Sequence, residues 1–247
     1  MGIDRIATGH YVRIEFDFKK KRWILKKAKD KRKDQSYFLW KLSQKQLSKI
    51  ISPLGEFTKK EVKEKMQKRF PKFFSPKEYK ESQDICFLRG IELSDFLRKK
   101  IRERRGPILD LKGRVIGEHP GIHFFTIGQR SGLKIGARSS RQEPFYVIEI
   151  QKEKNAIIVG EKDYLFKRKL KAKDLNWISI EPPQKRIKVK ARIRYHHKEA
   201  EAKIQPLPQG KARIVFKEKQ RAITPGQHVV FYKKELLLGG GIIEKTE

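Results

Sequence analysis

The sequence predicts an α/β segment followed by two β-rich units, the last of them a small antiparallel barrel. Two observations carry that reading. Apolar residues at helical spacing are confined to about the first 105 residues. After Gly106 the texture changes to short alternating runs separated by Gly, Pro, Asn and Asp at close intervals, the pattern of antiparallel strands closing on themselves. A chain of 247 residues has room for two or three such units. The boundaries fall at 1–105, 106–178 and 179–247.

In the first unit, "DRIATGHYVRIEF" reads as a buried strand end, a glycine turn and a strand. Lys19 to Lys33, around Trp23, Ile24 and Leu25, reads as a hairpin with a basic return. "DQSYFLWKLSQKQLSKII" places Phe38, Leu39, Leu42, Leu47, Ile50 and Ile51 at helical spacing, with Ser43 as cap of a short second helix. "TKKEVKEKMQKRF" is a helix opened by a capping box of Thr58 and Glu61. "ELSDFLRKKIRER" is another, with Glu92 or Ser94 near its start and "RRGP" as its stop.

The second unit opens at "GPILDL", turns at Asp110–Gly113, and continues through "FYVIEI" and "NAIIVG" with "QKEKN" between them. After "WISIEPP" the third unit follows. "RIKVKARIR" alternates strictly, as do "EAKIQPL", "KARIVF", "HVVFY" and "ELLLGGGIIE", and "ITPGQ" is a tight turn among them.

Charge narrows the function. Sixty-one Lys and Arg against 29 Asp and Glu give +32. A field of that size draws polyanions, and nucleic acid is the natural partner. A lysine-rich composition without function is the plainer reading of the same number. An anionic membrane fits less well, since no long basic amphipathic helix stands out. No apolar run reaches the length of a membrane span, and the N-terminus lacks the pattern of a secretory signal. The single cysteine excludes an internal disulfide and fits a reducing compartment such as the cytoplasm.

Few motifs carry chemistry on their own. There is no GxGxxG, GxxxxGK[ST] or GxSxG. The six histidines are scattered, and the pair His196–His197 would point to opposite faces of a strand, so no metal site is expected. Gly9, at the carboxyl end of an apolar strand, permits close backbone approach of a ligand, and His10 offers a donor. A plain turn explains both equally. Arg194 and Tyr195 in "RIRYHH" could pair with a phosphate and stack on a base, or be a solvated barrel face. Cys86 in "SQDICFL" is either a packed thiol or a reactive one.

Taken together and in order, "GIDRIATGHYVR", "KDQSYFLWKLSQ", "SQDICFL", "GEHPGIHFFTIGQRSGL", "EPFYVIEI", "ITPGQHVVFY" and "LLGGGIIE" resemble the tRNA-specific 2-thiouridylase family over nearly the whole chain. The resemblance implies that the first unit is the C-terminal part of a PP-loop ATP pyrophosphatase-like domain, followed by the central β domain and a tRNA-binding barrel. It implies an ATP-dependent sulfurtransferase acting on U34 of tRNA in the cytoplasm, with a protein persulfide donor as partner. Cys86 falls on the persulfide-bearing cysteine and Gly9 on a glycine contacting ATP. His10, Lys33, Asp34, Gln35, Arg194, Tyr195 and Gln227 fall on tRNA contacts.

Two family features have no counterpart in these 247 residues: the SGGxDS phosphate loop and a second catalytic cysteine. The expectation is therefore the C-terminal two-thirds of the enzyme, working with a separate N-terminal half. The alternative is an RNA-binding remnant without turnover.

Overall fold

The computed structural model describes residues 4–72, 92–133, 135 and 144–247. From the N-terminus run β1 (Ile6–Ala7), β2 (Val12–Asp17), β3 (Arg22–Lys27), α1 (Gln44–Leu47), β4 (Ile50–Ile51), α2 (Lys59–Arg69) and α3 (Leu93–Lys100). Next come β5 (Gly106–Leu109), β6 (Val115–His119), β7 (Tyr146–Gln151) and β8 (Ala156–Gly160). Last are β9 (Phe166–Trp177), β10 (Ile187–Arg192), β11 (Ala200–Leu207), β12 (Lys211–Arg221), β13 (His228–Lys233) and β14 (Leu236–Thr246). Two compact units result, one of residues 1–79, 168–218 and 225–247, the other of 80–167 and 219–224.

The larger unit is built on a closed six-stranded antiparallel barrel in the order β13-β10-β11-β12-β9-β14, with β14 returning to β13. Alternation sets its lining. Val189 and Ala191, Ala202 and Ile204, and Ala212, Ile214 and Phe216 are buried, while their neighbours along each strand face outward. The "GGG" of β14 has a steric reason. A Cβ at Gly239 would lie 2.2 Å from Asn176 O, and one at Gly240 2.8 Å from the Trp40 ring. Closing a barrel removes the free edges that short strands would otherwise expose.

The β2–β3 hairpin joins the barrel sheet at β14, through Leu236↔Lys26 and Leu237↔Leu25. Val12, Leu25, Tyr37, Trp40 and Leu47 then pack on Val230, Tyr232 and Leu237 in one core. The capping boxes of Ser43–Gln46 and Thr58–Glu61 are both formed. α1 is a single turn of four residues, and Ser36–Leu39 before it is a 3-10 turn.

The "IATG" stretch departs from the sequence expectation. Among the described residues β1 pairs with β4 alone, parallel, and both its residues are exposed, Ile6 at 64%. No further strand or covering helix among those residues buries the side chains of this pair.

The smaller unit has its own mixed sheet, β6-β5-β8-β7, with β5 and β8 parallel. Its core is Ile108, Phe125, Val147, Ile157 and Val159. No helix among the described residues is long and apolar enough to cross a membrane.

Candidate RNA-contact surface

The segment from Lys33 to Phe38 is held against the barrel by bonds its own sequence supplies. Asp34 is 4% exposed. Its Oδ1 accepts from the backbone N–H of Ala28 (3.1 Å) and of Ser36 (3.3 Å), and its Oδ2 accepts from Ser36 Oγ at 2.9 Å. Arg192 Nη1 stands 4.0 Å from the same Oδ2, while Arg192 Nη2 donates to Glu199 at 2.9 Å. Buried carboxylates need this degree of pairing. Both the Arg192 guanidinium and Lys27 Nζ lie over the Tyr232 ring, at 5.4 and 4.5 Å.

Gln35 clips the same segment to the start of β2. Its N–H donates to Tyr11 O and its Oε1 accepts from Tyr11 N–H, both at 3.0 Å. Gly9 and His10, immediately before Tyr11, are thereby held beside Lys33 and Gln35. His10 is half-buried, with Nδ1 2.6 Å from Thr8 Oγ1. Lys33 is half-buried, its N–H donating to Asp30 O.

An aromatic cluster links this segment to the barrel. Tyr37 donates from its hydroxyl to His228 O at 3.0 Å. Phe38 lies 4.5 Å from Tyr195 ring to ring, and Tyr37 lies 6.2 Å from Tyr195 and 6.4 Å from His228. Arg194 precedes Tyr195 in the chain. Gln227 precedes His228, is exposed, and its carbonyl accepts from Ile243 N–H at 2.7 Å. Lys33, Asp34, Gln35, Tyr195 and Gln227, which lie far apart in sequence, thus belong to segments joined by direct contacts.

Burial sets the protonation of this cluster. It pushes the Tyr37 hydroxyl up to about 12. Burial, then Asp34, raises Tyr195. Burial, then the charge of Lys41, lowers His228, so its ring is neutral near pH 7. The surface therefore presents neutral aromatic faces beside arginine and lysine. That combination stacks bases and neutralises phosphates.

Phe38, Tyr37, Arg192 and His228 belong to this surface and are absent from the residues the sequence singled out. Phe38 reads as core by helical spacing, yet is 53% exposed. Its neighbours in "DQSYF" were the available signal: a buried Asp-Ser pair fixes the backbone and turns Phe38 outward. Cys86 lies outside the described residues. Among those described, no group of three or more His, Cys, Asp and Glu comes together as a metal site would require.

Gly9, the expected ATP contact, is exposed, and a Cβ there would meet nothing closer than Leu54 Cδ1 at 3.9 Å, so packing within the chain does not demand glycine. No phosphate-cradling loop accompanies it in these 247 residues, which do not by themselves compose an ATP site.

Comparisons with known proteins agree along the chain. Residues 1–90 match the family described as tRNA methyl transferase HUP domain, 94–161 its PRC-barrel domain, and 167–243 the aminomethyltransferase beta-barrel domain. The chain is 43% identical over 246 residues to the tRNA-specific 2-thiouridylase MnmA of Acetivibrio thermocellus, covering 99% of this chain and 67% of that one. It is 44% identical over 243 residues to that of Syntrophomonas wolfei, covering 98% and 70%. It is 45% identical over 248 residues to that of Moorella thermoacetica, covering 100% and 68%.

Proposed function

Because the chain belongs to the tRNA-specific 2-thiouridylase family, a family of sulfurtransferases, we propose that it serves the 2-thiolation of the wobble uridine of tRNA. In this reading it contributes the RNA-binding surface and the sulfur-carrying Cys86. The observation that supports it most is the convergence of the Lys33–Phe38 segment with Tyr195 and His228. The domain descriptions speak of methyl transfer. The relatives matched along the whole chain are named for thiolation, and a cysteine at the family's sulfur-bearing position favours that chemistry.

The residues divide the work. Phe38 and Tyr195 offer stacking faces for unpaired bases of the anticodon arm. Arg194, Lys33, His10 and Gln227 offer donors to phosphates and base edges. Asp34 and Gln35 hold the segment in place. Once the C2 oxygen of U34 carries an adenylyl group, the terminal sulfur of a Cys86 persulfide would bond to C2 as that oxygen leaves with AMP. Attack of a second thiol on Cys86 Sγ then breaks the S–S bond, leaves sulfur on the uridine and forms a disulfide. These 247 residues hold one cysteine, so that second thiol lies outside them.

In this reading the reaction also needs a phosphate loop, which lies outside these 247 residues, a persulfide donor and ATP. The open parallel pair β1–β4, with Ile6 and Ile51 exposed, is consistent with further strands docking beside it. The cytoplasm is the matching compartment.

The second reading is RNA binding without turnover by this chain alone. It draws on the Lys33–Phe38, Tyr195 and His228 surface alone, without any role for Cys86. Purified chain with tRNA, ATP and a persulfide donor distinguishes the two. The expected result is tRNA binding with neither AMP release nor thiolated product. AMP released in a tRNA-dependent manner would show a chain complete in itself, and absence of tRNA binding would overturn both readings.

A further inference from the structure

The outer face of the barrel carries a second basic feature, at the opposite end of β10 from Arg194. A groove of about 730 Å³ is lined by Lys188 and Lys190 of β10, Lys203 of β11, Lys217 of β12, Lys233 at the end of β13, Lys234 after it and Arg168 of β9, over a floor of Val189, Ala202, Val215, Phe216 and Tyr232. One carboxylate, Glu201, faces these seven cations. All seven are exposed. Lys188 stands four residues before Arg192 on its strand, about 13 Å away at the rise of a β-strand.

Some outward cations of the same barrel are met by carboxylates. Lys211 pairs with Glu244 at 2.7 Å, Arg213 with Glu247 at 2.7 Å, and Lys171 with Glu247 at 3.7 Å. In the groove only Lys217 is so met, by Glu201 at 3.3 Å. Among the described residues Lys188, Lys190, Lys203, Lys233 and Lys234 enter no ion pair with a carboxylate. The register makes the arrangement worse for the isolated fold: Lys188 lies directly opposite Lys203 on the β10–β11 pair. Like charges facing each other across an antiparallel pair are destabilising. The repulsion is relieved when an anion sits between them.

We propose that this groove binds the phosphodiester backbone of RNA, as a contact separate from the aromatic surface around Tyr195. Ammonium groups on rigid strands around an apolar floor suit a chain of phosphates read without regard to sequence. The proposal rests on the reading that tRNA is the partner. It adds that the RNA extends beyond the segment stacked at Phe38 and crosses the β10–β12 face.

The test is tRNA binding by the full chain over a salt series. Lys188→Gln, Lys190→Gln and Lys203→Gln are combined in one variant. Lys45→Gln, Lys152→Gln and Lys154→Gln, removing the same charge from exposed positions elsewhere, make the control. Each lost phosphate contact lowers the slope of log affinity against log salt by about 0.7–0.9, so the groove variant loses about two to three and the control keeps the parent slope. Lys203→Gln alone loses about one. Affinity for an unrelated RNA duplex falls in parallel, because backbone contacts carry no sequence information. A groove variant with the parent slope, or one indistinguishable from the control, overturns the proposal. So does unchanged tRNA binding together with lost binding to vesicles containing anionic lipid. If the parent chain binds no tRNA at all, the failure belongs to the functional reading instead.

Discussion

Asp34 illustrates how a residue can serve an RNA surface without facing RNA. Its carboxylate accepts three hydrogen bonds inside the chain, and Arg192 stands on its remaining side. Replacing it by Ala strands the Ala28 and Ser36 donors, at about 1–3 kcal/mol, with a matching fall in Tm. RNA affinity falls with it, because the segment carrying Phe38 loses its anchor. Phe38 behaves oppositely. Its ring is half open to solvent, so Phe38→Ala leaves Tm nearly unchanged but weakens tRNA binding by about 1–3 kcal/mol, the range for one stacked base. Calorimetry and filter binding on the two variants separate these roles.

His228 gives the surface a pH signature. Burial lowers its pKa in the folded chain, whereas the unfolded chain titrates near 6.5. As pH falls through 6.5 the unfolded state takes up the proton first, so stability declines from that point downward. His119, also lowered mainly by burial, adds to the same window. Depressed carboxylates such as Glu61 and Glu235 act only further down, as pH falls below the unfolded carboxylate range. His228→Asn therefore flattens part of the stability loss below about pH 6.5, measured by denaturation at a series of pH values. An unchanged pH profile would show that His228 is not protected from protonation.

At the scale of elements, legibility followed periodicity. β10, β11 and β12 alternate, and each formed where the alternation lay. β13 formed as a strand too, but Val229, Val230, Phe231 and Tyr232 are all buried, because the β2–β3 hairpin and the Tyr37–Trp40 segment cover its outer side. β9 did not declare itself. In "FKRKLKAKDLNW" the buried positions are Leu170 and Ala172, and the long cationic side chains around them read as a charge run. Two small inward residues suffice there because the barrel interior is already filled from the other strands. "DQSYFL" failed as a helix for a different reason: its Asp and Ser bond to nearby backbone and to each other, which stops the segment at one 3-10 turn. The exposed "IATG" strand was illegible because burial there depends on neighbours, which a local pattern does not contain. Within the site, Tyr195 and Gln227 were named from the resemblance, whereas Phe38 and His228 needed the tertiary contacts. β14 offers a direct check of the barrel's closure. Gly239→Ala drives a Cβ against Asn176 O at 2.2 Å, so β9 and β14 must separate or shift. The expected outcome is a Tm lower by several degrees and loss of tRNA binding, whereas Gly113→Ala, in an open turn at φ 79, costs only local strain.

For the molecule as a whole, a net charge of +32 favours fast, salt-sensitive encounter with a polyanion. In the proposed function charge accounts for encounter with tRNA and the aromatic surface for the seat of an unpaired base. Neither accounts for sulfur transfer, which in that reading depends on Cys86 and on an ATP loop outside these 247 residues. The most direct measurement reconstitutes the chain with the N-terminal half of a related enzyme, ATP, tRNA, a thiol and a persulfide donor, and analyses U34 by mass. The account predicts 2-thiouridine from the parent chain and none from Cys86→Ser, whose hydroxyl cannot hold a transferable sulfur, while both bind tRNA equally. Equal thiolation by the serine variant would contradict it and return Cys86 to a packing role.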